Sequence, residues 1–173
     1  MVTAAVQAAR EIAAGVPDPE LPMVTLADLG ILRDVAAEGE QLVVTITPTY
    51  SGCPALGEIA HELRYRLTQA GFADVAVRAA LAPAWSSDWI TAEGRRKLRA
   101  AGIAPPQPVP AGPVSSRHGP VPLTLTPTRR SPVSCPRCGS RDTTQTAAFS
   151  ATACKALFRC DACREPFEYV KDI

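Results

Sequence analysis

Residues 104–132, "APPQPVPAGPVSSRHGPVPLTLTPTRRSP", hold 9 of the chain's 17 prolines. Each proline fixes φ and removes a backbone donor, so prolines at this density exclude both a helix and a central strand. The stretch predicts a semi-rigid, largely extended linker. It divides an N-terminal domain, residues 1–103, from a C-terminal module, residues 133–173.

On either side the composition is that of a globular protein, with 46% hydrophobic and 20% charged residues. Nothing approaches the ~20 apolar residues of a membrane helix. The opening "MVTAAVQAAREIAAG" carries Arg10 and Glu11 where a signal peptide keeps an apolar run. These features predict a cytoplasmic protein with no membrane partner. In that compartment thiols stay reduced, so six cysteines point to metal or thiol chemistry rather than disulfides. Residues 1–103 hold 9 basic and 12 acidic side chains, residues 104–132 hold 3 and 0, and residues 133–173 hold 6 and 5. No segment is basic enough to suggest nucleic acid as the main partner, since that binding needs clustered Lys/Arg on several phosphates. The run "RRKLR" at 95–99 reads as the solvated face of a helix.

The N-terminal domain is expected to be α+β. Residues 2–14 are mostly strong helix formers ending at Gly15. "ILRDVAA" and "QLVVTIT" flank "EGE", and Leu42, Val44 and Ile46 alternate with Val43, Thr45 and Thr47, the pattern of a hairpin with one apolar face. From Pro54 onward Leu56, Ile59, Ala60, Leu63, Leu67 and Ala70 recur at helical spacing until Gly71. "DVAVRAALAP" predicts a third strand, and "TAEGRRKLRAAG" a last helix with Thr91 as cap and Gly102 as terminator. The result is three helices packed on a small sheet of about three strands.

In the C-terminal module Cys135 and Cys138 form one C-x2-C pair and Cys160 and Cys163 another, with 21 residues between the pairs. Two such knuckles complete the tetrahedral sulfur cage that a structural Zn²⁺ prefers. Gly139 supplies the positive φ that a knuckle often needs, and "TTQTAAF" and "KALFR" suit the hairpin of a small β zinc ribbon. A module of this length lacks the area for a self-sufficient core, so metal must supply much of its folding free energy. Iron in the same four thiolates, or two disulfides, are the alternatives. Cys154 is surplus to a four-ligand site and reads as a small apolar side chain in a strand, with a reactive or cluster-binding role as its alternative. His61 reads as a boundary residue on the second helix and His118 as a linker residue without an evident partner.

Cys53, in "TPTYSGCPALGEIAHEL", has no sequence neighbour to pair with. Pro54 favours the first turn of a helix, which puts Cys53 at or beside the cap, where free N–H groups and the macrodipole are expected to lower its thiol pKa. Such a thiolate suits a nucleophile or a soft-metal ligand. Two histidines in these contexts assemble no Cys-His-Asn constellation, so a hydrolase is disfavoured.

The segments "PDPELPMVTLADLGILRDV" and "SGCPALGEIAHEL" resemble the small domain of the SufT-like iron-sulfur cluster assembly factors, with its DPE-P segment, its DLG and its Cys-Pro before a helix. "WSSDWITAEGRRKLRAAGIAPP" and the four-cysteine tail resemble the PaaD-like proteins, accessory subunits encoded with phenylacetyl-CoA 1,2-epoxidase. This resemblance implies a place beside a multicomponent oxygenase with a di-iron subunit and an iron-sulfur reductase, apart from the catalytic core. It implies maturation of those proteins, with Cys53, Asp18, Glu20 and Asp28 forming the cluster or client site and iron or a cluster held transiently. A cluster needs about four ligands, so one thiolate calls for a dimer sharing Cys53, help from Cys154, or a client's own cysteines. A structural or regulatory oxygenase subunit without cluster handling is the other reading, under which Phe167 and Tyr169 belong to a docking end. No catalytic activity of its own is expected, and a homodimer is the default assembly.

Overall fold

The computed structural model describes residues 2–50, 52–107 and 132–172. The greater part of the expected linker, including His118, lies outside the described residues.

Helix α1 (Val2–Ala14) leads through a long loop to a hairpin of β1 (Leu32–Glu38) and β2 (Gln41–Ile46). Helix α2 (Leu56–Gln69) follows, then β3 (Val75–Ala79), which pairs parallel to β2, so β2 is the central strand of three. The anticipated apolar face is present. Leu42, Val44 and Ile46 join the main core, whereas Val43 is buried outside it. Against that face lie Ala9 and Ala13 of α1 and Ile59, Leu63 and Leu67 of α2. Leu63 and Leu67 are fully buried, and truncating either to alanine should cost about 2 to 5 kcal/mol.

A 3-10 turn (Ser87–Trp89) and α3 (Ala92–Ala100) come next, with the Thr91 hydroxyl capping α3 by accepting from the Gly94 N–H at 2.9 Å. These elements dock on the Asp28-Leu29-Gly30 turn. Trp85 Nε1 donates to the Leu29 carbonyl at 2.9 Å, and Thr91 N donates to the Asp28 carbonyl at 2.9 Å. Both glycines at this contact are sterically required. A Cβ on Gly94 would stand 2.6 Å from the Asp28 carbonyl oxygen, and one on Gly30, whose φ is +67°, would stand 2.6 Å from Trp89 Cβ. The "RRKLR" run is only partly the solvated face expected of it: Arg95 donates to the carbonyls of Ile90, Ser87 and Pro106, and Lys97 pairs with Asp28.

The ribbon is a sheet of β5 (Thr143–Ala147), β6 (Lys155–Cys160) and β7 (Pro166–Val170), with the expected β5–β6 hairpin. A fourth strand, β4 (Ile103–Ala104), runs parallel to β7 along its free edge. Ala104, expected to open the linker, therefore belongs to the sheet, and the Gln107 N–H reaches the Asp172 carboxylate at 2.8 Å. Proline density excludes a central strand but leaves two residues before the first proline free to pair at an edge. The strands alternate across the junction: Ile103 and Val170 pack in the main core, whereas Ala104 and Tyr169 pack in the ribbon core. Phe167 and Tyr169, expected at a docking end, are instead buried. Phe158 stacks on Phe167 at 5.9 Å between ring centroids and meets Tyr169 edge-on at 5.4 Å. A small sheet with few aliphatic residues draws its apolar area from such rings.

Candidate functional site

The four paired cysteines converge at one end of the ribbon, their sulfurs all within 4.8 Å of one another. Cys135 and Cys163 Sγ are 3.8 Å apart, and Cys138 and Cys160 Sγ are 3.5 Å apart. Four thiolates at the usual zinc–sulfur length would stand about 3.8 Å from each other in a tetrahedron, so this donor set fits a single Zn²⁺. The two knuckles have one backbone form. Gly139 N donates to the Cys135 carbonyl and Arg164 N to the Cys160 carbonyl, both at 2.9 Å, and both donors sit at positive φ, +76° and +67°. The Cys163 N–H directed at its sulfur holds Cys160 down at about 7, toward the thiolate form that a metal needs.

Cys53 is held differently. Helix α2 is capped at Ala55, so Cys53 lies two residues upstream of the cap rather than on it, half-buried against the main core. Burial pushes its thiol above the usual value, opposed by the Ala55 N–H and reinforced by Glu20, Cys154 and Asp18. The expected lowering is thus overturned, because the helix dipole fades within a turn whereas desolvation acts on the sulfur directly.

The sulfur borders a cavity of about 30 Å³ whose wall includes Asp18, Glu20, Leu29, Trp85 and, from the ribbon, Cys154. Asp18 is buried. Its Oδ1 accepts from Glu20 N at 3.0 Å and Leu21 N at 2.9 Å, yet burial outweighs these bonds and raises its pKa. Asp28 is not part of this wall. Burial works against its charge, but Lys97 Nζ at 2.6 Å and the Thr25 N–H at 3.0 Å hold its pKa below the usual carboxylate range. Asp18, Glu20 and Cys53 are therefore brought together, while Asp28 pins α3 to the turn.

Cys154 is the residue that sequence reasoning placed differently. It precedes β6 instead of packing within a strand, its sulfur 3.1 Å from Thr152 Oγ1, and it faces the Cys53 cavity. Its signal was the surplus itself, a sixth cysteine with no role in the tetrad.

A compact α+β domain carrying a cysteine at a small acidic cavity, with a four-cysteine ribbon stitched to its edge, is the architecture of an iron-sulfur assembly domain extended by a zinc ribbon. Residues 7–81 match the family model described as "Iron-sulfur cluster assembly protein", and residues 120–171 match "PaaD zinc beta ribbon domain". The chain is 47% identical over 158 residues to an Escherichia coli (strain K12) protein named as a putative subunit of 1,2-phenylacetyl-CoA epoxidase, a match covering 91% of this chain and 87% of that one. It belongs to that PaaD family. A crystal structure from Bacillus anthracis, titled as a domain of unknown function, DUF59, superposes with TM-score 0.51 at 28% identity, over 56% of this chain and 92% of its own. A Mycobacterium tuberculosis protein described as associated with Fe-S complex assembly and repair is 34% identical over 57% of this chain and 84% of its own, with TM-score 0.31. No helix among the described residues is long and apolar enough to cross a membrane.

Proposed function

We propose that the chain is a non-enzymatic maturation factor for a phenylacetyl-CoA epoxidase system, handling iron or an iron-sulfur cluster for the oxygenase or its reductase. The name of the Escherichia coli relative supports the system, and the description of the N-terminal family supports the task. Zinc is the proposed occupant of the Cys135, Cys138, Cys160 and Cys163 site, where it serves to fold the ribbon. The working site is Cys53 with Asp18 and Glu20, and the protein acts in the cytoplasm beside the oxygenase and reductase.

One observation carries this reading. A thiol and a carboxylate, both with pKa values raised by burial, share one cavity. Ionisable groups that burial holds toward their neutral forms in one cavity mark candidate functional sites, and a bound cation would stabilise the anionic form of both. The test is Cys53→Ala in cells that depend on the epoxidase: the variant should fold, keep its zinc and fail to support epoxidase activity. Full activity in that variant would overturn the reading in favour of a purely structural component of the complex.

A further inference from the structure

The Cys53 cavity lies on the seam between the two modules. Cys53, Asp18 and Glu20 come from loops of the N-terminal domain, and Cys154 and Val170 come from the ribbon. Cys154 cannot serve the ribbon's own cage, because β6 runs Lys155–Cys160 and a strand of that length separates its ends by roughly 17 Å. Its place is fixed from both sides. Lys171 N donates to the Cys154 carbonyl at 2.9 Å, and Lys171 Nζ reaches the Ala153 carbonyl at 2.7 Å. The neighbouring Val170 is itself part of the N-terminal core, so the packing that joins the modules also brings Cys154 to the wall opposite the helix-leading loop.

We propose that Cys53 and Cys154 are the two thiol ligands of a transfer site for one thiophilic divalent cation, with ferrous iron as its cargo. The inference rests on the reading of Cys53 as an iron-handling residue and adds the second ligand. Ligand number favours an ion over a cluster: the cavity brings two cysteines to its wall, and a cluster needs about four ligands. Coordination is left open by design. Among the described residues the ribbon tetrad is the group of three or more ligand atoms within 4.8 Å of one another, so the junction offers two sulfurs and leaves further positions for a recipient. An ion held by four thiolates stays; one held by two can leave. Binding involves no redox change: two S–H bonds give up their protons, two Fe–S bonds form, and iron remains ferrous. Leu29, Ile31 and Trp85 make part of the wall apolar, and the Asp18 carboxyl lies on the same wall.

The experiment uses the full chain, loaded with zinc and kept without oxygen, titrated with ferrous ammonium sulfate and followed by equilibrium dialysis and sulfur-to-iron charge-transfer absorption. Wild type should bind one iron beyond its zinc. Cys53→Ser and Cys154→Ser should each weaken that binding at least tenfold, with the double variant no worse than either alone, while zinc content and circular dichroism stay unchanged. Iron binding by Cys154→Ser equal to wild type, with Cys53→Ser deficient, overturns the pair and leaves the maturation reading intact. No iron bound by wild type also overturns the pair, whereas the maturation reading fails separately, on full epoxidase activity in Cys53→Ala cells.

Discussion

At the ribbon's tip four sulfurs stand within 4.8 Å of one another on two knuckles of the same backbone form, whereas at the junction two sulfurs from different modules share a cavity of about 30 Å³. At the tip a backbone N–H brings one of the four, Cys160, to about 7, while neighbouring sulfurs push Cys163 up to about 12. The junction makes its thiolate hard to form, with burial and acidic neighbours raising Cys53. A site that keeps its metal gains from a complete set of four sulfurs already converged. Under the proposed transfer role, a thiolate that forms only while a cation is present would ease release of the cargo.

The comparison is open to attack in order of effect. Removing metal from the tip has the largest consequence, since structural zinc contributes apparent free energies of about 10 to 16 kcal/mol in small zinc modules. A chelator should abolish amide protection across β5 to β7 and leave β1 to β3 protected, as hydrogen exchange followed by mass spectrometry would register. Protection retained in the ribbon would mean that its aromatic core, and not metal, holds it.

The N-terminal side should respond instead to polar packing. Asp28→Asn removes the charge paired with Lys97, and a hydrogen bond to a charged group of this kind contributes about 2 kcal/mol. Because the folded pKa of Asp28 is lowered, this stabilisation is fully present above its usual value of 3.8 and is lost as pH falls through the folded value. Urea unfolding should therefore separate wild type from variant at pH 7 and bring them together in strong acid, with zinc content equal in both. A gap that persists at low pH would assign the loss to packing rather than to the ion pair.

The smallest expected effect lies in the knuckles. Arg164 occupies, at φ +67°, the position that Gly139 holds in the other knuckle. A non-glycine residue there costs of order 1 kcal/mol. Arg164→Gly should thus stabilise the metal-bound ribbon by about 1 kcal/mol, read as a shift in its midpoint of thermal unfolding. A loss of stability would show that the Arg164 side chain contributes more than its backbone costs.

How far the sequence reached differs between the regions for a physical reason. The ribbon site was readable because only two residues separate the ligands within each pair, so the chemistry is encoded locally and needs only a hairpin to close it. The helices and the apolar face of β2 were readable because periodicity of 3.6 or 2 reports burial directly. The pKa of Cys53 was misjudged because a local rule, proximity to a helix start, competes with desolvation that no local pattern contains. Asp28 carried a signature shared with Asp18, yet the fold directs it to Lys97, 69 residues away.

By itself the sequence determined the tetrad, the helix faces and the division by proline, all set by spacing along a few residues of backbone. Only the tertiary structure decided that β4 and β7 knit the two modules, that Phe167 and Tyr169 are core, and that Cys154 faces Cys53 across 101 positions of chain. Contacts at that separation depend on which surfaces the packing buries together, and the free energy of burial is indifferent to distance along the chain.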